Sequence, residues 1–173
     1  MEKIFYADKS AYTTEAALKK ILSDYYKIDN SEILRTENGK PYINGGPYFS
    51  VTHTKNRLYI AFSNEEIGLD AESLLRAPYY ETIVQKFSKD EQAEIRSTED
   101  FLKHWVVKES AVKYLGGTLA LDLYKLHYAK GVLTYNDNPL SVKINLLPHG
   151  EFILSVCGNG NFNEAEFISL SSL

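Results

Sequence analysis

The alternation of helical and strand-like segments along this chain predicts an α+β fold, built as two α/β halves packed face to face, each an antiparallel sheet with helices. Three observations carry that prediction. Apolar residues recur at helical spacing in two separate stretches, Ala17, Leu18, Ile21, Leu22 and Tyr25 near the start and again over residues 98–115. Short runs bounded by turn residues fill residues 48–71 and 122–170. No low-complexity linker interrupts the pattern, and the change of texture at 73–85 divides the chain into residues 1–75 and 76–173.

Taken in order, residues 3–7 form a short strand, followed by the first amphipathic helix. Asn38-Gly39-Lys40-Pro41 is a turn, since Gly and Pro break what precedes them. Residues 48–54, 57–63 and 66–71 read as three strands joined by the turns Lys55-Asn56 and Asn64-Glu65, an expected antiparallel meander. A helix is expected over 79–87. Ser88 with Glu91 three residues on is a capping box for the next, and Ser97 with Asp100 caps the long helix 98–115. Strands are expected at 122–129, 131–135, 140–147, 151–157 and 164–170, and Gly116-Gly117 stops the long helix.

With 173 residues, 44% apolar and 24% charged, the chain can bury a real core. Its net charge of −4 argues against a nucleic-acid surface. The single cysteine, Cys157, lies in an apolar run and reads as a buried, inert thiol. MEKIFYADKS lacks a signal peptide's apolar core and no stretch is long enough to span a membrane, so a cytoplasmic protein without membrane contact is expected.

The chemistry gathers in two places. On the long helix, Trp105, Glu109 and Lys113 are spaced four apart and share one stripe, with Lys108 beside Glu109. Upstream, Gly68-Leu69-Asp70-Ala71-Glu72 puts two carboxylates at i and i+2 of a strand, on one face and roughly 6.5–7 Å apart. Such a pair can share a hard divalent cation while leaving room for phosphate oxygens, and Glu109 adds a third oxygen if the helix crosses the strand. Alone, either cluster is an ordinary solvated surface. Arg35, Lys40, His53 and Lys55 supply positive groups in the first half, and Thr52 and Thr54 flank His53 with hydroxyls that suit a phosphate. The remaining histidines lack zinc spacing, and serine-hydrolase elbows and glycine-rich nucleotide loops are absent from the sequence.

Five motifs in order, G-K-P (39–41), F-S-V-T-H-T (49–54), G-L-D-A-E (68–72), F-S-K-D-E (87–91) and W-V-V-K-E-S-A-V-K (105–113), resemble the 4′-phosphopantetheinyl transferases. The early G-K-P and histidine motifs favour the longer, pseudo-dimeric type that activates surfactin synthetase over the short trimeric type. The resemblance implies pseudo-twofold symmetry between the halves, an active site at their interface and a monomer sufficient for activity. It implies transfer of phosphopantetheine from coenzyme A to a serine of an acyl or peptidyl carrier protein, releasing 3′,5′-ADP. By the same resemblance Asp70, Glu72 and Glu109 hold Mg²⁺, and Glu109 is the candidate base. Lys113 and Lys108 neutralise the pyrophosphate, and His53 with Thr52 contacts phosphate. Arg35, Lys40 and Pro41 lie on the nucleotide side, and Glu91 matches a recurrent acid of undefined role. Lys86, Lys89 or Arg76 would face the carrier.

The chain departs from the family in several places, among them Thr52 and Thr54 where serines are usual, which keeps the hydroxyls. The region before G-K-P is short, which leaves fewer basic residues for the adenosine 3′-phosphate. Thr118 replaces a family glycine, and a loop needing positive φ there would be strained. The alternative is a non-catalytic coenzyme A or nucleotide-binding homologue. A protein-interaction module unrelated to phosphate is a third class; it predicts no stabilisation by Mg²⁺ or coenzyme A.

Overall fold

The computed structural model describes residues 2–163 and 165–173 as a mixed α/β protein with several antiparallel sheets. The first sheet has the order β12-β1-β5-β4, from β1 (Lys3–Asp8), β4 (Tyr48–Thr54), β5 (Arg57–Ser63) and β12 (Glu166–Ser169). Its pairings are antiparallel except β1–β12, which is parallel. The second sheet is β10-β11-β6, from β6 (Ile67–Ser73), β10 (Lys143–His149) and β11 (Phe152–Gly158), all antiparallel. Two small sheets complete the set: β2 (Leu34–Arg35) with β3 (Pro41–Tyr42), and β7 (Leu126–Ala129), β8 (Val132–Tyr135) and β9 (Asn138–Pro139).

Strand alternation sorts the first sheet into two apolar faces. Phe5, Ala7, Leu58, Ile60 and Phe62 pack against Ala17, Leu18, Ile21 and Leu22 of the first helix, α1 (Thr14–Lys20) with its wider last turn through Tyr25. Ile4, Tyr59 and Ala61 face the other way, against Ile67, Leu69, Ala71, Leu154 and Val156 of the second sheet. Behind that sheet, with the short α2 (Glu81–Val84) and α3 (Lys89–Glu94), runs α4 (Thr98–Tyr114). Its Val107 and Ala111 pack with Cys157 and the β7–β8 hairpin. The layers are therefore helix, sheet, sheet, helix.

The expected meander is corrected at its third strand. β4 and β5 pair as a hairpin, but β6 leaves them and adds to β11, Asp70 opposite Ser155 and Glu72 opposite Ile153. Side chains join the sheets where β6 passes β4: Ser50 Oγ accepts from Leu69 N at 2.9 Å, and Thr52 Oγ1 donates to Asp70 Oδ1 at 2.8 Å. Thr54 Oγ1 donates to Glu72 Oε2 at 3.2 Å. The edge of β5 that the third strand of a meander would need is taken by β1, so β6 finds its main-chain partners on β11 instead.

Smaller corrections follow local chemistry. The helix expected over 79–87 shrinks to α2, and residues expected to open a strand at 122 form α5 (Leu119–Asp122) and a 3₁₀ turn before β7. The last strand begins at Glu166, and Glu164 lies outside the described residues. Thr118 is extended, with φ −126°, so its replacement of glycine costs no strain. The left-handed residue is Gly116, φ 65°, where Gly117 N donates to Val112 O and Gly116 N to Lys113 O, closing α4 as a Schellman cap. Cys157 is buried, and burial pushes its thiol up to about 12. No described helix is long and apolar enough to cross a membrane.

Candidate active site

Gly68 sets the site. A Cβ built there would stand 1.9 Å from Ser110 O and 2.4 Å from Tyr114 N, so only glycine lets the α4 backbone lie on β6. Along β6, residues 67, 69 and 71 enter the core between the sheets, and Gly68, Asp70 and Glu72 alternate to the α4 side. Helix α4 crosses with Trp105, Glu109 and Lys113, all half-buried along one rim. The strand pair and the helix stripe therefore meet.

Lys113 Nζ donates to Asp70 Oδ1 at 2.8 Å and to Leu69 O at 2.9 Å. Asp70 is nearly buried and also accepts from Thr52. Glu72 accepts from Thr54 and pairs with Arg76. Burial raises the Glu72 carboxyl, against the pull of Arg76. Glu109 is pushed furthest, to about 8. Burial is the main cause and the negative charge of Asp70 the next, with Lys113 opposing and Glu72 adding to it. Three carboxylates thus converge with too few cations to satisfy them, and Glu109 answers by holding a proton. Among the described residues no group of three or more His, Cys, Asp and Glu side chains forms a ready-made metal site.

Beside this cluster lies a mixed wall of His53, Lys55 and Arg76, with Lys55 paired to Glu151 and Arg76 to Glu72. His53 is exposed, with Nε2 2.9 Å from Thr14 Oγ1. Partial desolvation of its ring, then the charges of Lys9 and Lys113, hold it below the usual imidazole value. His53, Thr54, Lys55, Glu72, Leu75 and Arg76 line a cleft of about 430 Å³.

Other sequence candidates take different places. Lys40 Nζ donates to Lys113 O at 2.8 Å and Ile67 O at 2.9 Å and pairs with Glu66, so it ties the G-K-P turn to the end of α4. Asn38 Nδ2 reinforces that tie by donating to Gly116 O at 2.7 Å. Arg35 donates to Gly39 O and, with Pro41, lines a separate depression of about 260 Å³ beside α1. Lys108 is not brought to the carboxylates. It is fully buried on the adjoining face of α4, 2.9 Å from Glu91 Oε1 and 3.8 Å from the centroid of the Phe87 ring. Trp105 is half-buried, its ring against Phe101. Arg76, expected to face a carrier, pairs with Glu72 across the turn after β6; a spacing of four signals an ion pair only on a helix, so the sequence carries no mark of this one.

Glu91 is saturated. Besides Lys108 it accepts from Tyr128 N at 3.1 Å and Ser88 N at 2.8 Å, and His127 Nδ1 lies 3.4 Å away. Burial works to raise its carboxyl, but Lys108 and the two amides outweigh burial and hold it below the usual range. Burial also draws Lys108 downward against the pull of Glu91. The number of donors on Glu91 decides for the charged pair.

A sheet pair crossed by one long helix, with carboxylates and a lysine at the crossing, defines the class, and the comparisons supply its family. The family model described as the 4′-phosphopantetheinyl transferase superfamily matches residues 66–168, more than half of the chain, which therefore belongs to that superfamily. A relative named 4′-phosphopantetheinyl transferase gsp, from Aneurinibacillus migulanus, is 28% identical over 120 residues, 62% of this chain and 50% of the relative. Relatives named L-aminoadipate-semialdehyde dehydrogenase-phosphopantetheinyl transferase come from Xenopus laevis and Mus musculus. The first is 25% identical over 149 residues (73% of this chain, 49% of the relative) and the second 24% over 169 (83% and 54%). The chain spans about half the length of the curated relatives it matches.

Proposed function

We propose that this chain transfers the 4′-phosphopantetheine moiety of coenzyme A to a serine of an apo acyl or peptidyl carrier protein, releasing 3′,5′-ADP, in a Mg²⁺-dependent reaction. The observation that carries the reading is the close crossing of α4 over β6 at Gly68, which brings Lys113 onto Asp70 and sets Glu109 beside the Asp70–Glu72 pair. Family membership and the named relatives support it. In this reading the fold divides into halves at 75/76 related by a pseudo-twofold, and the site lies at their interface, where α4 of the second half crosses β6 of the first.

Asp70, Glu72 and Glu109 fit magnesium by donor chemistry, since that ion keeps waters and substrate phosphates and needs only one or two protein carboxylates. Bound there, it would neutralise pyrophosphate charge. The chain's own groups do the rest. Lys113 and His53 flank the pyrophosphate, and the cleft at His53 and Arg76 opens beside it. Glu109 accepts the proton of the carrier serine as its oxygen attacks phosphorus and the bond to the bridging oxygen breaks. Held protonated by its neighbours, Glu109 becomes a base only when the charges of Asp70 and Glu72 are offset. Displacement at phosphorus rests on position and charge more than on covalent chemistry, which suits these groups.

Intact mass spectrometry tests the reading. Several apo carrier proteins incubated with this chain, coenzyme A and Mg²⁺ should each be screened for a gain of one phosphopantetheine, lost with EDTA. Mg²⁺-dependent stabilisation by coenzyme A without transfer to any carrier would favour the binding-only homologue. Neither signal would sink both.

A further inference from the structure

Arg76 holds the place of a cation. Its guanidinium Nη1 pairs with Glu72 Oε1, the oxygen that Thr54 leaves free, since Thr54 takes Oε2. The Glu72 side chain is 11% exposed and that of Arg76 is 55% exposed, so the carboxylate is fixed and the arginine is free to swing. Lys113 stands in the same relation to Asp70, but it is also anchored to Leu69 O and lies on the rigid α4. Arg76 follows β6 in an irregular segment, outside any helix or strand, and lines the His53 cleft. Of the two cations facing the carboxylates, Arg76 is thus the releasable one.

We infer that Arg76 is an internal counter-ion that competes with a divalent cation for Glu72. When a cation takes Glu72, Arg76 leaves it and turns into the cleft beside His53 and Lys55, where its charge faces an anionic substrate. The inference rests on the carboxylate site proposed above and adds a positioning residue to it. Two consequences follow. Free protein binds a divalent cation more weakly than its carboxylates alone would allow. Cation binding and anion binding become mutually favourable, because each draws Arg76 away from Glu72.

The test titrates Mn²⁺ into the full chain without coenzyme A, reading free Mn²⁺ by electron paramagnetic resonance. It compares wild type, Arg76→Gln, Lys55→Gln and Asp70→Asn. Arg76→Gln should bind Mn²⁺ roughly two- to fivefold more tightly than wild type, the range set by loss of one partly exposed ion pair. Lys55 lines the same cleft but pairs with Glu151 rather than Glu72, so Lys55→Gln should change affinity less. Unchanged or weaker binding by Arg76→Gln, with Asp70→Asn still abolishing binding, overturns the counter-ion and leaves the carboxylate site standing. Equal tightening by Lys55→Gln overturns it too, because general charge then explains the effect. No binding by wild type or Arg76→Gln, or binding indifferent to Asp70→Asn, removes the carboxylate site and the inference with it.

Discussion

Helix α4 carries two lysine–carboxylate pairs little more than one turn apart, Lys108–Glu91 and Lys113–Asp70, and they differ in how far their charges are satisfied. Lys108 and Glu91 are both fully buried, and Glu91 collects an ammonium and two backbone amides, with a histidine nitrogen nearby. Nothing more can be added to that pair, and its work is to pin α3 and the β7–β8 hairpin to α4. Asp70 instead shares its surroundings with Glu72 and Glu109, and the surplus negative charge appears as the raised Glu109 carboxyl. A saturated network holds a fold together; an unsaturated one is ready to take a ligand.

Removing one partner from each network separates the two cases most sharply. Lys108→Ala leaves Glu91 buried without its cation and should cost about 3–5 kcal/mol in denaturant unfolding. Lys113→Ala should cost clearly less, because its ammonium is about a third exposed, and should instead lower transfer rate and coenzyme A affinity together. Equal destabilisation by both would break the comparison. Asp70→Asn should reduce transfer roughly 10²–10³-fold while keeping a cooperative unfolding transition, since it removes charge aimed at the reacting groups. Loss of that transition would make Asp70 structural.

Gly68→Ala attacks the crossing itself. With Ser110 O only 1.9 Å from the new Cβ, α4 must lift from β6, at a cost of about 3 kcal/mol and with Glu109 displaced from Asp70. A variant of wild-type stability and activity would remove Gly68 from the account. The smallest effect expected is on pH dependence. A carboxyl raised from 4.5 to about 8 keeps in the folded state a proton that the unfolded chain releases. Stability is therefore greatest below 4.5 on this account and is lost as pH rises through 8. Glu109→Gln should flatten part of that slope, unfolding later than wild type at pH 8 by up to roughly 2 kcal/mol and no later at pH 5. Some slope should persist, because Glu72 is raised in the same sense.

Where a feature depends on neighbours in the chain, the sequence reading and the structure agree. The bounds of β4 and β5 match, α4 ends one residue short of expectation, and Ser88 and Glu91 form the reciprocal cap their spacing implied. The facing of Asp70 and Glu72 followed from strand alternation alone. The destination of β6 did not, because a strand's edge partner some eighty residues away leaves no local mark, and a two-residue turn after β5 argued for the nearer partner. Lys108 shows a second limit. Adjacent to Glu109 in sequence, it is turned about 100° from it on the helix, so the two side chains enter different networks. Which face met the core depended on where β7 and α3 packed.

The most direct test of the central claim is the titration of the Glu109 carboxyl by carbon-13 NMR in the metal-free protein, assigned through Glu109→Gln. A midpoint near 8 is expected, moving downward when Mg²⁺ is added. A midpoint near 4.5, indifferent to Mg²⁺, would mean that the carboxylates do not gather their charge on Glu109 and that the contrast along α4 is not one between structure and site.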